Sequence, residues 1–219
     1  MNKPVAVVTG GTRGIGLAIA ERLVQRGFSL TITYVSDEKS AENAFQHLDR
    51  LKGEDQRILT LQGDAGDAKV VAEHHRTIRK ELGPVSVLVN NAGIMPAKSF
   101  EEISVKDWDE TIRVNLNSTF YGCREVVPAM KEMKFGRIVN ISSLAARGGR
   151  RSRAALCSVQ SGNVRIDALC SQRAGSIWHY CQLHCAGLHR RCRNICGVAG
   201  RKEGRAEGED FRAPPGKCR

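Results

Sequence analysis

Along the first 149 residues, apolar side chains switch repeatedly between short continuous runs and helical spacing. Val5–Val8 is a β-branched run that ends at Thr9 and passes into Gly10-Gly11-Thr12-Arg13-Gly14-Ile15-Gly16. Leu17, Ala18, Ala20, Leu23 and Val24 then follow the period of a helix, closed by Gly27. The pattern continues with a strand over Leu30–Val35, a helix from Asp37 to about Lys52, and a strand over Arg57–Gln62. Next come a helix over Asp67–Leu82 stopped by Gly83-Pro84, and a strand over Val85–Asn90. A long helix is predicted from Asp107 to about Lys134, then a strand over Gly136–Ser142. Strand and helix in alternation with short connections predict a parallel sheet with helices on both faces, an α/β doubly wound architecture. Val85, Val87, Leu88 and Val89, like Ile138, Val139 and Ile141, do not alternate with polar residues. A sheet covered on both faces requires this.

Composition alters the picture only when divided. The 219 residues are 41% hydrophobic and 26% charged, an ordinary soluble balance. No apolar run approaches the ~18 residues of a membrane helix, and no leader precedes the first strand. These features predict a cytoplasmic protein with no membrane partner. The net charge of +11 and the eight cysteines are unevenly placed. Residues 1–149 hold 20 Lys/Arg against 18 Asp/Glu, whereas residues 150–219 hold 14 against 5. Only Cys123 lies in the first part. The chain therefore reads as a domain over 1–149 and a basic, Cys-rich tail over 150–219.

Ligands of such sheets bind at the carboxyl ends of the strands. The first such end carries Gly10, Gly14 and Gly16 at the mouth of a helix. Without Cβ atoms, the backbone can turn sharply and approach a pyrophosphate, with the free N–H groups of the helix start facing it. Position after a strand and before a helix makes this a dinucleotide turn rather than an ordinary loop.

Four motifs then fall in order: Thr9-Gly10-x-x-x-Gly14-Ile15-Gly16, Asn90-Asn91-Ala92-Gly93, Arg113-Val114-Asn115-Leu116 and Ile141-Ser142-Ser143. Together they resemble the short-chain dehydrogenases/reductases, over about residues 3–149, and most closely the 3-oxoacyl-carrier-protein and acetoacetyl-CoA reductase group. The resemblance implies a Rossmann-like fold and a set of roles. Gly10, Thr12, Arg13, Gly14, Ile15 and Gly16 form the dinucleotide turn. Asp64 sits where the family holds the adenine ring. Asn91, Ala92 and Gly93 line the cofactor beside the ribose. Asn115 supports a helix kink and a proton-relay water, and Ser143 hydrogen-bonds the substrate carbonyl, with Ser142 as the alternative serine.

A carboxylate at the tip of the second strand would accept from a ribose 2′-OH and repel a 2′-phosphate. That strand ends Thr33-Tyr34-Val35-Ser36, and Arg13 lies within the glycine turn. Both observations favour NADP(H) over NAD(H); Asp37, one residue past the tip, argues the other way.

The resemblance also implies a tyrosine thirteen residues after the serine, with a lysine four further on, as general acid and its partner. Leu156 and Gln160 occupy those positions, and no Tyr-x-x-x-Lys occurs anywhere in the chain. The tail has its own explanation. Read one base later, the possible codons of His179–Arg191 permit ITVNCIAPGFID, which resembles the family's sixth strand and cofactor loop. Val159-Gln160-Ser161 permits S-K-A, and Leu156-Cys157 permits a tyrosine. A frame slip between about residues 147 and 155 accounts for this. Residues 150–219 are then expected to be irregular, the fifth strand an exposed edge, and the family's usual homo-oligomer interface lost.

Cys181-x-x-x-Cys185 and Cys192-x-x-x-Cys196 lack the spacing of a common zinc finger, so no metal site is expected. Disulfides are not expected either. Twelve arginines in the tail, with few aromatics between them, are read as a solvated segment without specific nucleic-acid binding. The expected function is reduction of a ketone to an alcohol with a small-molecule partner, weak or absent as the chain stands. A non-catalytic dinucleotide-binding or basic interaction protein is the alternative.

Overall fold

The computed structural model describes residues 3–96, 98–99 and 101–142, and the backbone of Trp178–His184. One compact unit spans Met1–Ala186; a second, Gly187–Arg219, lies outside the described residues. The elements are β1 (Val5–Val8), α1 (Gly14–Gln25), β2 (Ser29–Tyr34), α2 (Glu38–Leu51), β3 (Ile58–Gln62), α3 (Ala68–Glu81) and β4 (Val85–Asn90). After these come α4 (Val105–Ile112), a π-helical turn over Arg113–Asn117, α5 (Ser118–Glu132), β5 (Gly136–Ser142) and β6 (Trp178–His184). The sheet order is β3-β2-β1-β4-β5-β6, with every pairing parallel. This is the doubly wound α/β fold, and the order reverses between β1 and β4.

Alternate residues of each strand feed two cores. Ala6, Val8, Leu30, Ile32, Val87 and Val89 pack with Ala20, Val24, Ala44 and Leu48 of α1 and α2. Val5, Val7, Leu88 and Ile138 pack with Ile78 of α3 and Cys123, Val126 and Met130 of α5. Each fully buried Val, Leu or Ile contributes about 1.5–3 kcal/mol. The two clusters together fix the strand ends on which the site stands.

Two expectations are corrected. The single helix from Asp107 to Lys134 is instead two helices separated by the π-helical turn. It begins earlier, because Ser104 caps it: Ser104 Oγ accepts from Asp107 N at 3.1 Å, and Asp107 Oδ2 accepts from Ser104 N at 3.0 Å. The exposed β5 edge is also corrected. Trp178–His184 runs parallel beside β5, with Gly136 opposite Trp178 and Ser142 opposite His184. That segment contains two aromatic residues and neither Gly nor Pro, a composition a strand accepts. The remaining expectations for 150–219 fall outside the described residues. Among the described residues no helix is long and apolar enough to cross a membrane.

Candidate functional site

The carboxyl ends of β1 and β4 are sewn together by short polar side chains. Thr9 Oγ1 accepts from the backbone N–H groups of Asn91 and Ala92, both at 3.0 Å. Asn91 Nδ2 donates to the carbonyls of Thr9 at 2.9 Å and Gly10 at 3.0 Å. From the other side, Gly11 N–H donates to the Thr33 carbonyl at 3.2 Å, and Gly10 N–H donates to Thr33 Oγ1 at 3.4 Å. The β1–α1 turn is thus fixed before any ligand arrives.

Glycine is required in this turn for two different reasons. Gly10 and Gly14 have φ of 62° and 55°, the left-handed region that side chains avoid. At Gly16 a Cβ would collide with the Gly10 carbonyl oxygen and lie 2.6 Å from Asn91 Nδ2. The start of α1 is left open. Its N-cap, Arg13, makes no side-chain cap, and its first turn carries no acidic residue. By contrast, Asp37 caps α2, Asp67 caps α3 and Ser104 caps α4. Open backbone donors at a glycine-lined helix start are an anion site. Arg13 and Ile15 face solvent beside it, Arg13 with 82% of its side chain exposed, while Thr12 is buried beneath.

Asp37 stands at the tip of β2, but its carboxylate is engaged. Oδ1 accepts from Ser40 N–H at 3.0 Å and Oδ2 from Ser40 Oγ at 2.7 Å, with Arg13 Nη1 4.0 Å away. The Ser40 hydroxyl and then the Ser40 amide hold the Asp37 carboxyl below its usual range. The residue that argued against a 2′-phosphate is therefore the cap of α2.

At the tip of β3, Asp64 Oδ1 accepts from Gly66 N–H at 2.7 Å, and Oδ2 pairs with Arg113 Nη1 at 2.7 Å. Arg113 also donates from Nε and Nη2 to the Glu110 carboxylate, both at 2.7 Å. Hydrogen bonds to Glu110 and then Asp64 raise the Arg113 pKa above its already high value. Two residues along the π-helical turn, buried Asn115 accepts from Ile94 N–H at 2.7 Å and donates to the Ile94 carbonyl at 2.8 Å. Gly93 lies against it: a Cβ there would sit 3.1 Å from Asn115 Oδ1, a tight approach.

Beneath the strand ends, Thr9, Thr33, Ala65, Ser118 and His75 line a cavity of about 20 Å³. Burial pushes the His75 pKa down to about 4, with neighbouring His74 adding to the effect, so the ring is neutral near pH 7. Farther along, Asn90 Nδ2 donates to Asn140 Oδ1 at 2.7 Å, joining β4 to β5. Ser142 Oγ is buried on the same face of β5 as Asn140, without a hydrogen-bond partner among the described residues. Ser143 lies outside the described residues.

The structure therefore gathers Gly10, Thr12, Arg13, Gly14, Ile15, Gly16, Asn91 and Ala92 at the β1–β4 switch point. It places Gly93 and Asn115 together beside it, and Asp64 to the β3 side. Three residues escape the sequence reading: Thr9, Thr33 and Arg113. Thr9 was visible as the residue closing β1. Thr33 closes the second strand and Arg113 opens the motif that carries Asn115, but nothing local in the sequence marks the contacts they make. The glycine cradle, closed to any Cβ at Gly16, and the uncapped helix start fit the pyrophosphate of a dinucleotide.

Comparison with known proteins agrees with this geometry. The profile of the family described as short chain dehydrogenase matches residues 4–162. An acetoacetyl-CoA reductase of Paracoccus denitrificans is 34% identical over 174 residues, covering 78% of this chain and 69% of that protein. A 3-oxoacyl-[acyl-carrier-protein] reductase of Staphylococcus epidermidis is 28% identical over 176 residues, covering 80% and 70%. A metagenomic short-chain oxidoreductase, solved in complex with NADP, superimposes with a TM-score of 0.76 at 28% identity, covering 82% of this chain and 80% of that one. The chain belongs to the short-chain dehydrogenase family, and by that membership to the oxidoreductases.

Proposed function

We infer that the chain descends from an NADP(H)-dependent reductase that converts a ketone, a 3-oxoacyl thioester in the first instance, to an alcohol. The observation that carries this reading is the uncapped, glycine-lined start of α1 with exposed Arg13 beside it. The relatives named above support the substrate class, and the NADP-bound neighbour supports the coenzyme.

In this reading the α1 amides hold the pyrophosphate and Arg13 pairs with the 2′-phosphate. Asp37 stays ionised while it caps α2, and the exposed Arg13 guanidinium, 4.0 Å from it, is the cation that offsets its charge beside that phosphate. Bound NADPH supplies hydride to the carbonyl carbon. Asn91, Ala92 and Gly93 line its ribose, and Asn115 fixes the loop that follows them. Ser143 donates a hydrogen bond to the carbonyl oxygen as negative charge develops there. Neither the tyrosine nor the lysine that would deliver the proton stands at 156 or 160.

Residues after about 150 are in this reading translated out of frame, although Trp178–His184 still pairs beside β5 within the unit that spans Met1–Ala186. Losing the general acid lowers turnover by ~10²–10⁴. In this reading the residues with which family members dimerise are out of frame as well. A second reading, coenzyme binding without turnover, is favoured by the absent Tyr-x-x-x-Lys pair.

The test compares acetoacetyl-CoA reduction by this chain and by a chain encoded in the +1 frame from about residue 150. Slow or undetectable turnover in the first and normal turnover in the second is expected. Normal turnover by the first, or a +1 frame that is closed by stops or encodes no Tyr-x-x-x-Lys, contradicts the proposal.

A further inference from the structure

The π-helical turn Arg113–Asn117 touches the site at two separate places. Asn115 holds Ile94, in the loop after β4, while Arg113 reaches the opposite way to Asp64, in the turn after β3. The sheet order puts these on different sides of the switch point. A dinucleotide with its pyrophosphate at β1 must lay one nucleoside toward β2 and β3 and the other toward β4 and β5. Arg13 and the β2 tip, where a 2′-phosphate would sit, mark the β2–β3 side as the adenosine side.

The contact between Arg113 and the β3–α3 turn is closely built. Its Nη1 lies 2.7 Å from Asp64 Oδ2, and a Cβ placed on Gly66 would lie 2.5 Å from that same nitrogen. Gly66 N–H holds the other carboxylate oxygen, and Glu110 grips the rest of the guanidinium through Nε and Nη2. A carboxylate has about four lone-pair sites, so two contacts orient Asp64 and leave acceptor capacity free. The guanidinium is planar and makes its bonds in a fixed fork, which sets the direction of the remaining lone pairs.

Resting on the dinucleotide reading above, we propose that Arg113 is a positioning residue for the adenosine half of the coenzyme. It aims Asp64 at the adenine and ties that aim to the helical turn carrying Asn115. The pair is about one-third exposed, so the effect falls on ligand geometry more than on stability.

The experiment measures binding of two fragments, 2′,5′-ADP and nicotinamide mononucleotide, to the full chain by ligand-detected NMR. Arg113→Gln is expected to weaken 2′,5′-ADP about tenfold, equivalent to about 1.4 kcal/mol, and to leave the mononucleotide unchanged. Arg113→Lys, which keeps the charge but cannot span both carboxylates, should show the same selective loss at smaller size and guards against a fold defect in the first variant. Glu110→Gln loosens the grip on Nε and Nη2 while keeping the Asp64 contact, and should show the same selective loss at smaller size. Equal weakening of both fragments, or no weakening of 2′,5′-ADP in either folded Arg113 variant, overturns the inference. If the unaltered chain binds neither fragment, the dinucleotide reading itself fails, a distinguishable outcome.

Discussion

Helices α1 and α2 start only a few residues beyond neighbouring strands, yet they treat their free amides in opposite ways. At α2 the Asp37 carboxylate takes the Ser40 N–H and hydroxyl, so the helix supplies its own anion. The α3 start does the same with Asp67, and the α4 start fills its amides with the neutral Ser104 hydroxyl. At α1, Arg13 stands at the N-cap and offers no acceptor, and left-handed glycines stand on either side of it at 10 and 14. An N-cap contributes typically about 1 kcal/mol to stability. A helix that forgoes it, in a turn already fixed by Thr9, Thr33 and Asn91, leaves its donors for a ligand. The difference between the two helices is thus one between internal stability and ligand capture.

The largest expected effect comes from making α1 resemble α2. Arg13→Asp supplies a cap and removes the cation together. Coenzyme affinity should fall by at least about 100-fold, about 2.8 kcal/mol, while the melting temperature of the ligand-free protein holds or rises. Titration calorimetry and thermal melts on the same samples check both halves. A fall in stability with affinity retained would break the comparison.

Gly16→Ala removes the cradle without touching charge. The added methyl meets the Gly10 carbonyl and Asn91 Nδ2, an overpacking worth about 1–3 kcal/mol. Both stability and coenzyme affinity should drop, and the loss should be the same at low and high salt. Denaturant unfolding at two ionic strengths is the check. Asn91→Ala deletes two bonds to Thr9 and Gly10, each worth about 0.5–1.5 kcal/mol. It should loosen the turn, and hydrogen exchange at Gly10 and Gly11 should quicken while the α2 amides stay protected.

The smallest effect concerns acid. Hydrogen bonds from Lys98 and then Ser104 pull the Asp107 carboxyl from 3.8 down to about 2. A depressed carboxylate stabilises the fold above its unfolded pKa, and the contribution is lost as pH falls through the folded value. The start of α4 should therefore loosen between pH 3.8 and about 2, whereas α1, with no carboxylate in its first turn, should show no transition of its own there. Exchange rates at Trp108 against Leu17 measure the contrast. Simultaneous loosening of both would remove it.

Much of this molecule was legible in the residues. The β1 glycine turn, the five strands and the apolar faces follow from local spacing, because backbone freedom and burial act there over a few residues. The π-helical form of the turn was not legible. The resemblance implies a kink at Asn115 but gives no role to Arg113, and what builds the turn into the site is bonding to Asp64 and Ile94, 49 and 21 residues away in the chain. Asp37 reads from its type and position as a carboxylate opposing a 2′-phosphate; its further role, capping α2 through Ser40, is a geometric fact that type and position do not reveal. Strand β6 was hidden by the changed composition after Gly149: the codon reading of His179–Arg191 places a strand there only in the other frame, and the residues as they stand read as irregular.

The central claim is that the uncapped start of α1 holds a dinucleotide bearing a 2′-phosphate. Calorimetric titration of the full chain with NADPH and with NADH tests it most directly. The account predicts saturable heat with NADPH and affinity at least about tenfold tighter than for NADH. Absence of heat with either coenzyme, or tighter binding of NADH, would contradict it.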